Sequence, residues 1–193
     1  MRSDADVVVV GAGIAGAATA RAASRAGRGV LLLEQFALDH ARGSSHGASR
    51  IFRLNYPDER YIRMAQGALD GWRELEAECG MALIDRAGVL DLGEAALENA
   101  RALAACGASF EELRGVEVTR RFGITADRDE PALFQPDGGT MRADLAHRAF
   151  LDGARDAGAE VVAGAHVDSV SVERASVRLE TSEGSIAARS IVV

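Results

Sequence analysis

Apolar runs and helical stripes alternate along the first part of the chain. Val7–Val10 is an unbroken β-branched run, the pattern of a parallel strand covered on both faces. Gly11-Ala-Gly-Ile-Ala-Gly16 follows, and the alanine-rich segment after it predicts a helix over 14–26 that Gly27 ends. Val30–Leu33 is a second buried strand, and Glu34 closes it. A crossover of this kind is right-handed almost without exception.

The pattern then breaks. Gln35–Pro57 is rich in Gly, Ser and charge and shows no period, so it reads as a long loop of functional type. Pro57-Asp58 opens a helix with Tyr61, Ala65, Ala68, Leu69, Trp72, Leu75 and Cys79 on one stripe, and Gly80 stops it. Trp72, at this spacing, belongs to a core. Two short strands lie within 84–92 around Gly88, followed by a helix over 94–105. A short strand at 110–113, a short helix at 115–122 and a strand at 132–135 lead to the turn Pro136-Asp-Gly-Gly139. This middle stretch departs from the crossover rhythm and fits a partly antiparallel sheet.

A helix over 142–157 then packs through Leu145, Ala146, Ala149, Phe150, Gly153 and Ala154, with His147 on the opposite, solvated side. A strand at 160–163 restores the first pattern. Val167–Val172, Val177–Thr181 and Ser185–Ala188 alternate as a meander. Ser190–Val193 reads as the start of another buried strand, so the sequence is expected to be a portion of something longer. The expected fold is α/β: a domain of parallel sheet, helices and β-meander over 1–82 and 141–193, incomplete at its C-terminus. An α+β domain of mixed sheet is threaded into it over 83–140.

Composition narrows the partners. Hydrophobic residues make up 48% and charged residues 26%, ordinary for a globular chain. Aromatics are only 5%, so the core should be aliphatic and its elements close. A net charge of −7 argues against a nucleic-acid partner. The polar start Met1–Asp6 gives no sign of a leader, and no apolar run approaches a membrane span. Cys79 and Cys106 lack metal or redox spacing and read as reduced, buried thiols of a cytoplasmic protein.

The chemistry concentrates at two places. Around the first crossover, strand, glycine turn, helix, strand and acid together form a dinucleotide-binding fingerprint. Gly11 permits the sharp turn, Gly13 lets the backbone approach a pyrophosphate, and Gly16 lets helix pack on strand. The helix N-terminus offers N–H groups to phosphates, and Glu34 can accept a ribose diol. The second place is the loop, where Arg42, His46, Arg50 and Arg53 gather positive charge in an acidic chain. Sites of open α/β sheets collect at such strand ends.

Gly43-Ser-Ser-His-Gly-Ala-Ser-Arg-Ile-Phe-Arg-Leu-Asn-Tyr56, with the fingerprint before it and Phe134-Gln-Pro-Asp-Gly-Gly-Thr-Met141 after it, resembles the monomeric sarcosine oxidase and N-methyltryptophan oxidase family. That family lies among the D-amino-acid-oxidase-like flavoproteins, and the resemblance runs through the whole sequence. It implies a Rossmann-like FAD-binding domain with an inserted substrate domain. It also implies oxidation of the C–N bond of a secondary amine such as an N-methyl amino acid, hydrolysis of the imine, and reduction of oxygen to hydrogen peroxide.

By the same resemblance Arg53 grips the substrate carboxylate, while His46 and Arg50 lie near the flavin ring. The cofactor-binding set becomes Gly11, Gly13, Ile14, Ala15, Gly16, Glu34, Gln35, Arg42, Gly43, Ser44, Ser45, His46, Arg50 and Val167. The complete protein is expected to be a monomer taking a small amine and oxygen. Chemistry agrees: arginine's planar, permanently charged fork suits a carboxylate better than lysine does. Positive charge near the ring favours the negative charge it gains on reduction.

The sequence departs from the family in lacking its second half, which carries the oxygen-activating lysine and, in many members, the cysteine joined to the flavin. Cys79 and Cys106 do not match that cysteine, so covalent linkage stays open. Ser45, Ala48 and Ser49 replace bulkier or more polar residues, which leaves the substrate open too. Other readings are a D-amino-acid or glycine oxidase, a dehydrogenase of the same superfamily, an NAD-dependent dehydrogenase, or a nucleotide-binding piece without catalysis. Glu34 disfavours NADP, whose 2′-phosphate would meet a carboxylate.

Overall fold

The valine run forms the centre of β1 (Asp4–Val10) in a computed structural model that describes residues 4–193. Met1–Ser3 of the polar start lie outside the described residues. From β1 the chain turns into α1 (Ile14–Arg25) and returns as β2 (Val30–Glu34), parallel to β1 with Val7 opposite Val30. Every residue of β2 is buried, as its unbroken apolar run predicts.

The chain then divides into two units, 1–48 with 143–193, and 49–142. The first contains α5 (Ala143–Asp156), β9 (Glu160–Ala163), β10 (Val167–Val172), β11 (Val177–Thr181) and β12 (Gly184–Val192). Its sheet runs β10-β11-β12-β1-β2-β9. β9 is parallel to β2, and β10 to β12 form the expected meander. One side of the sheet packs Val9, Val30 and Leu32 against Ala17 and Ala20 of α1 and Leu151 and Ala154 of α5. Val8, Leu31 and Leu33 pack against Leu179 and Ile186 in a separate cluster. Alanines on both helices let them approach closely.

Ser190–Val193 does not begin a new strand. β12 is a single element of 9 residues, antiparallel to β11 through its first half and parallel to β1 as far as Val192.

The second unit opens on β3 (Ser49–Phe52), which lies inside the stretch expected to be loop. It pairs antiparallel with β8 (Gly139–Arg142), whose other neighbour is β4 (Ile84–Asp85). β5 (Val89–Leu92), β7 (Pro131–Gln135) and β6 (Glu111–Arg114) form a second antiparallel sheet in that order. The helices of this unit are α2 (Glu59–Cys79), α3 (Glu94–Ala105) and α4 (Gly115–Phe122).

The second compact unit thus begins at Ser49, whereas the expected domain boundary lies after residue 82. Two features place the residues after Ala48 in the second unit: the pairing of β3 with β8, and the packing of Ile62 and Leu69 of α2 on Ala100 and Leu103 of α3. Trp72 packs against the same core. Tyr61, expected on the buried stripe, is 54% exposed, and the neighbouring Ile62 is buried in its place. Asp58 caps α2 by accepting the Arg60 N–H at 2.9 Å, and Gly80 ends it in the left-handed region.

Candidate functional site

The glycine turn is built as its sequence requires. Gly11 has φ +96°, a conformation that strains any residue with a Cβ, and its N–H donates to the Leu33 carbonyl at 2.7 Å. A Cβ on Gly16 would overlap the Gly11 carbonyl oxygen. Gly13 occupies the N-cap of α1 without a side-chain cap, and no acid lies in the first turn. The four N–H groups from Gly13 to Gly16 thus have no intrahelical acceptor and carry the positive end of the helix dipole.

Both peptides around Ala12 are held by side chains. The Ala12 N–H donates to Glu34 Oε2 at 2.9 Å. Its carbonyl oxygen lies 2.5 Å from His147 Nε2 on α5. His147 is thus half-buried and faces the turn, contrary to the solvated position expected of it. The reason is helical spacing: Ala143 and Leu151, both buried, stand four residues to either side, so His147 shares their stripe.

Glu34 is 6% exposed and serves as a hub. Its Oε1 accepts the Phe36 N–H at 3.0 Å and lies 3.3 Å from His40 Nε2. The Arg42 N–H donates to His40 Nδ1 at 2.9 Å, so Nδ1 is the acceptor and Nε2 carries the proton toward Glu34. The Arg42 guanidinium stacks 4.6 Å over Phe36, whose ring meets His40 edge-on at 5.0 Å. A carboxylate offers roughly four lone-pair sites, so after these three donors room remains for one ribose hydroxyl. His147 was expected on the solvated side, and His40 was not singled out because nothing local marks it.

The loop after β2 closes over this turn. Ser45 Oγ accepts the Ile14 N–H at 3.0 Å, and His46 Nδ1 contacts the Gly43 carbonyl. Between the loop, the turn and α5 lies a cleft of about 650 Å³, a size typical of ligand sites. Gly13, Glu34, Gln35, Arg42, Gly43, Ser44, Ser45 and His46 line it, together with His147, Arg148 and Arg155. Gly11, Ile14, Ala15 and Gly16 form the turn and helix start behind it. Val167 is not among the lining residues. It begins β10, two residues after Ala165, whose N–H donates to the Glu34 carbonyl at 2.9 Å.

These features fit FAD. The first turn, where Ser45 Oγ takes the Ile14 N–H and no acid stands by, suits a diphosphate, the absent Cβ of Gly13 leaves room beside Ser45 Oγ, and Glu34 stands at the strand end. FAD would be held by the N–H groups of the turn, Ser45 and Glu34.

Arg50 and Arg53 lie in the second unit. Arg50 is on β3, where its Nη1 donates to the Ser49 carbonyl at 2.7 Å. Buried Phe52 at the end of β3, with buried Leu54 and Asn55 just past it, anchors the backbone and leaves the Arg53 side chain exposed. Its guanidinium lies 4.9 Å over the Tyr56 ring. Asn55 Nδ2 donates to Asp91 Oδ2 at 2.9 Å, and Asn99 donates to the same oxygen at 2.8 Å.

The perturbed carboxylates lie outside the cleft. Hydrogen bonds from Arg60 hold Asp58 down at about 2, and Arg121 and Arg178 lower Glu111 and Glu173. Cys79 and Cys106 are free but half-buried rather than buried. Among the described residues no group of three His, Cys, Asp or Glu could hold a metal ion, and no helix is long and apolar enough to cross a membrane.

The chain is 32% identical to the monomeric sarcosine oxidase of Bacillus sp. (strain B-0618), over 100% of this chain and 51% of that protein. It is 39% identical to the peroxisomal sarcosine oxidase of Mus musculus, over 75% and 38%. With the N-methyl-L-tryptophan oxidase of Yersinia pestis (strain Pestoides F) it shares 29% identity, over 98% and 53%. Among solved structures, NikD, described as an unusual amino acid oxidase essential for nikkomycin biosynthesis, superposes with a TM-score of 0.87 at 32% identity, covering 98% of this chain and 51% of that one. An L-proline dehydrogenase from P. horikoshii shares the fold at TM-score 0.87 and 20% identity, covering 99% and 52%. The chain spans about half the length of the relatives it matches. The family profile described as FAD dependent oxidoreductase, DAO, matches residues 6–193. From the glycine turn to the end of β12, this chain belongs to the DAO family of FAD dependent oxidoreductases.

Proposed function

We propose that the protein oxidises the C–N bond of a secondary amine that carries a carboxylate, an N-methyl amino acid being the simplest case. FAD, when bound, supplies the two-electron acceptor, and oxygen takes the electrons on to hydrogen peroxide. The imine left behind hydrolyses. The first unit serves as the cofactor domain and the second as part of the substrate domain. The observation that carries the substrate class is Arg53: an exposed guanidinium on a backbone pinned by buried neighbours on both sides. Such a fork binds a carboxylate bidentately, so that the adjacent C–H bond is oriented toward the cofactor. On the family resemblance we assign Arg50, with its permanent charge, and His46 to the reacting ring. The relatives named sarcosine oxidase and N-methyl-L-tryptophan oxidase act on substrates of this type, which supports the same reading. The free thiols Cys79 and Cys106 suit a reducing cytoplasm, and we expect a monomer.

The test is an absorption scan after incubation with FAD and removal of excess, followed by anaerobic sarcosine. A retained flavin spectrum that bleaches supports the reading, as does peroxide formed on readmission of air. A protein that stays colourless, here and when extended beyond Val193, overturns it.

A further inference from the structure

The His147–Ala12 contact lies outside everything the proposed chemistry uses. The carbonyl of Ala12 can only accept, so His147 Nε2 carries the proton and donates it across 2.5 Å. That oxygen belongs to the peptide joining Ala12 to Gly13. In a trans peptide the C=O and N–H point in opposite directions. Holding the oxygen therefore fixes where the Gly13 N–H points. The preceding peptide is fixed independently, through the Ala12 N–H and Glu34. The glycines give this turn its freedom to rotate, and these two side chains remove it.

We infer that His147 is a positioning residue for the dinucleotide diphosphate. Its imidazole, carried on α5, locks the Ala12–Gly13 peptide so that the Gly13 N–H is already aimed at a phosphate before one arrives. A peptide free to rotate would have to be ordered on binding, at a cost in affinity. This role rests on the FAD reading of the turn.

Three measurements test it. In wild-type chain labelled with 15N, the imidazole spectrum of His147 should show the proton on Nε2, and a proton on Nδ1 would overturn the inference without any variant. His147→Leu keeps bulk and removes the donor, and should weaken FAD and ADP by about five- to tenfold, the worth of one hydrogen bond. His147→Gln restores a neutral donor and should bring both affinities back to within about threefold, with the apo-protein melting as the wild type does. A merely structural role would move the melting temperature of the leucine variant and leave its affinities alone. If the wild type binds FAD and ADP and His147→Leu binds them equally well, the inference fails by itself. If the wild type binds neither, the FAD reading fails and takes the inference with it.

Discussion

Ser45 and Ile14 stand 31 positions apart in sequence, and the hydroxyl of one accepts the N–H of the other at 3.0 Å. The loop after β2 is thereby tied to the head of α1. While Oγ accepts from Ile14, its own O–H is available to donate to a phosphate oxygen. Ser45→Ala should weaken FAD by about three- to tenfold, the range of one hydrogen bond. Ser45→Asp should separate stability from binding. A carboxylate at a helix N-terminus favours the dipole and raises the apo melting temperature, yet it repels a diphosphate, so FAD should weaken by at least about tenfold. Flavin fluorescence quenching and thermal melts on the same samples check both.

Gly16→Ala tests the packing of α1 on β1. The added Cβ would overlap the Gly11 carbonyl oxygen, which is backbone and cannot swing aside. Overpacking of this kind costs about 1–3 kcal/mol. Urea denaturation of the apo-protein should show that loss, and FAD retention should fall with it, because the turn itself must shift. An alanine variant as stable as the wild type would mean the turn yields more easily than its contacts imply.

Arg53→Lys separates charge from geometry. Lysine keeps the positive charge but loses the planar fork. With sarcosine as substrate, KM should rise by about ten- to a hundredfold while kcat changes less, as expected for loss of a charge-assisted pair. Bound FAD should be unaffected. Unchanged KM in this variant would remove Arg53 from the carboxylate site.

The pH dependence of α2 follows from its cap. Hydrogen bonds from Arg60 lower the Asp58 carboxyl from 3.8 to about 2. A carboxyl lowered in the folded state adds stability above its unfolded value and loses it as pH falls through the folded one. Asp58→Asn keeps a capping oxygen without the charge. The wild type should therefore melt above the asparagine variant at neutral pH, with the gap closing between about pH 4 and pH 2. Added salt should shrink the gap, since the pair is at the surface.

Much of this was legible in the chain, for reasons that differ by element. α3 and α4 match their expected spans of 94–105 and 115–122, each followed by a glycine with positive φ within two residues. The turn and Glu34 were legible because conformation and chemistry there are dictated by local residues. β3 was not. It is 4 residues long, and its pairing with Gly139–Arg142 is a property of two distant segments. The same tertiary pairing groups α2 with the second unit. His147 was misjudged by taking the packing face of α5 through Leu145 and Phe150, when the Ala143–Leu151 stripe sets it. Around the turn, the glycine conformation and the burial of Glu34 were readable, while His40 acts through local contacts without a sequence signature and His147 reaches Ala12 across 135 positions that no local pattern encodes.

The register of β12 on β1 bears on how the chain acquires its structure. Asp4 lies beside Ala187, and Val9 beside Val192. β1 precedes the whole 49–142 unit in the chain, and one of its two neighbours follows only after that unit has been made. Until then a strand of valines has an open edge, which invites pairing with another chain. Parallel pairing at this separation is also slow, because a long loop must close before any contact rewards it. The 49–142 unit is free to fold first and shorten that loop to the distance between its own ends. Expression yield should therefore depend on how quickly the inserted unit folds, even for substitutions far from any cofactor contact.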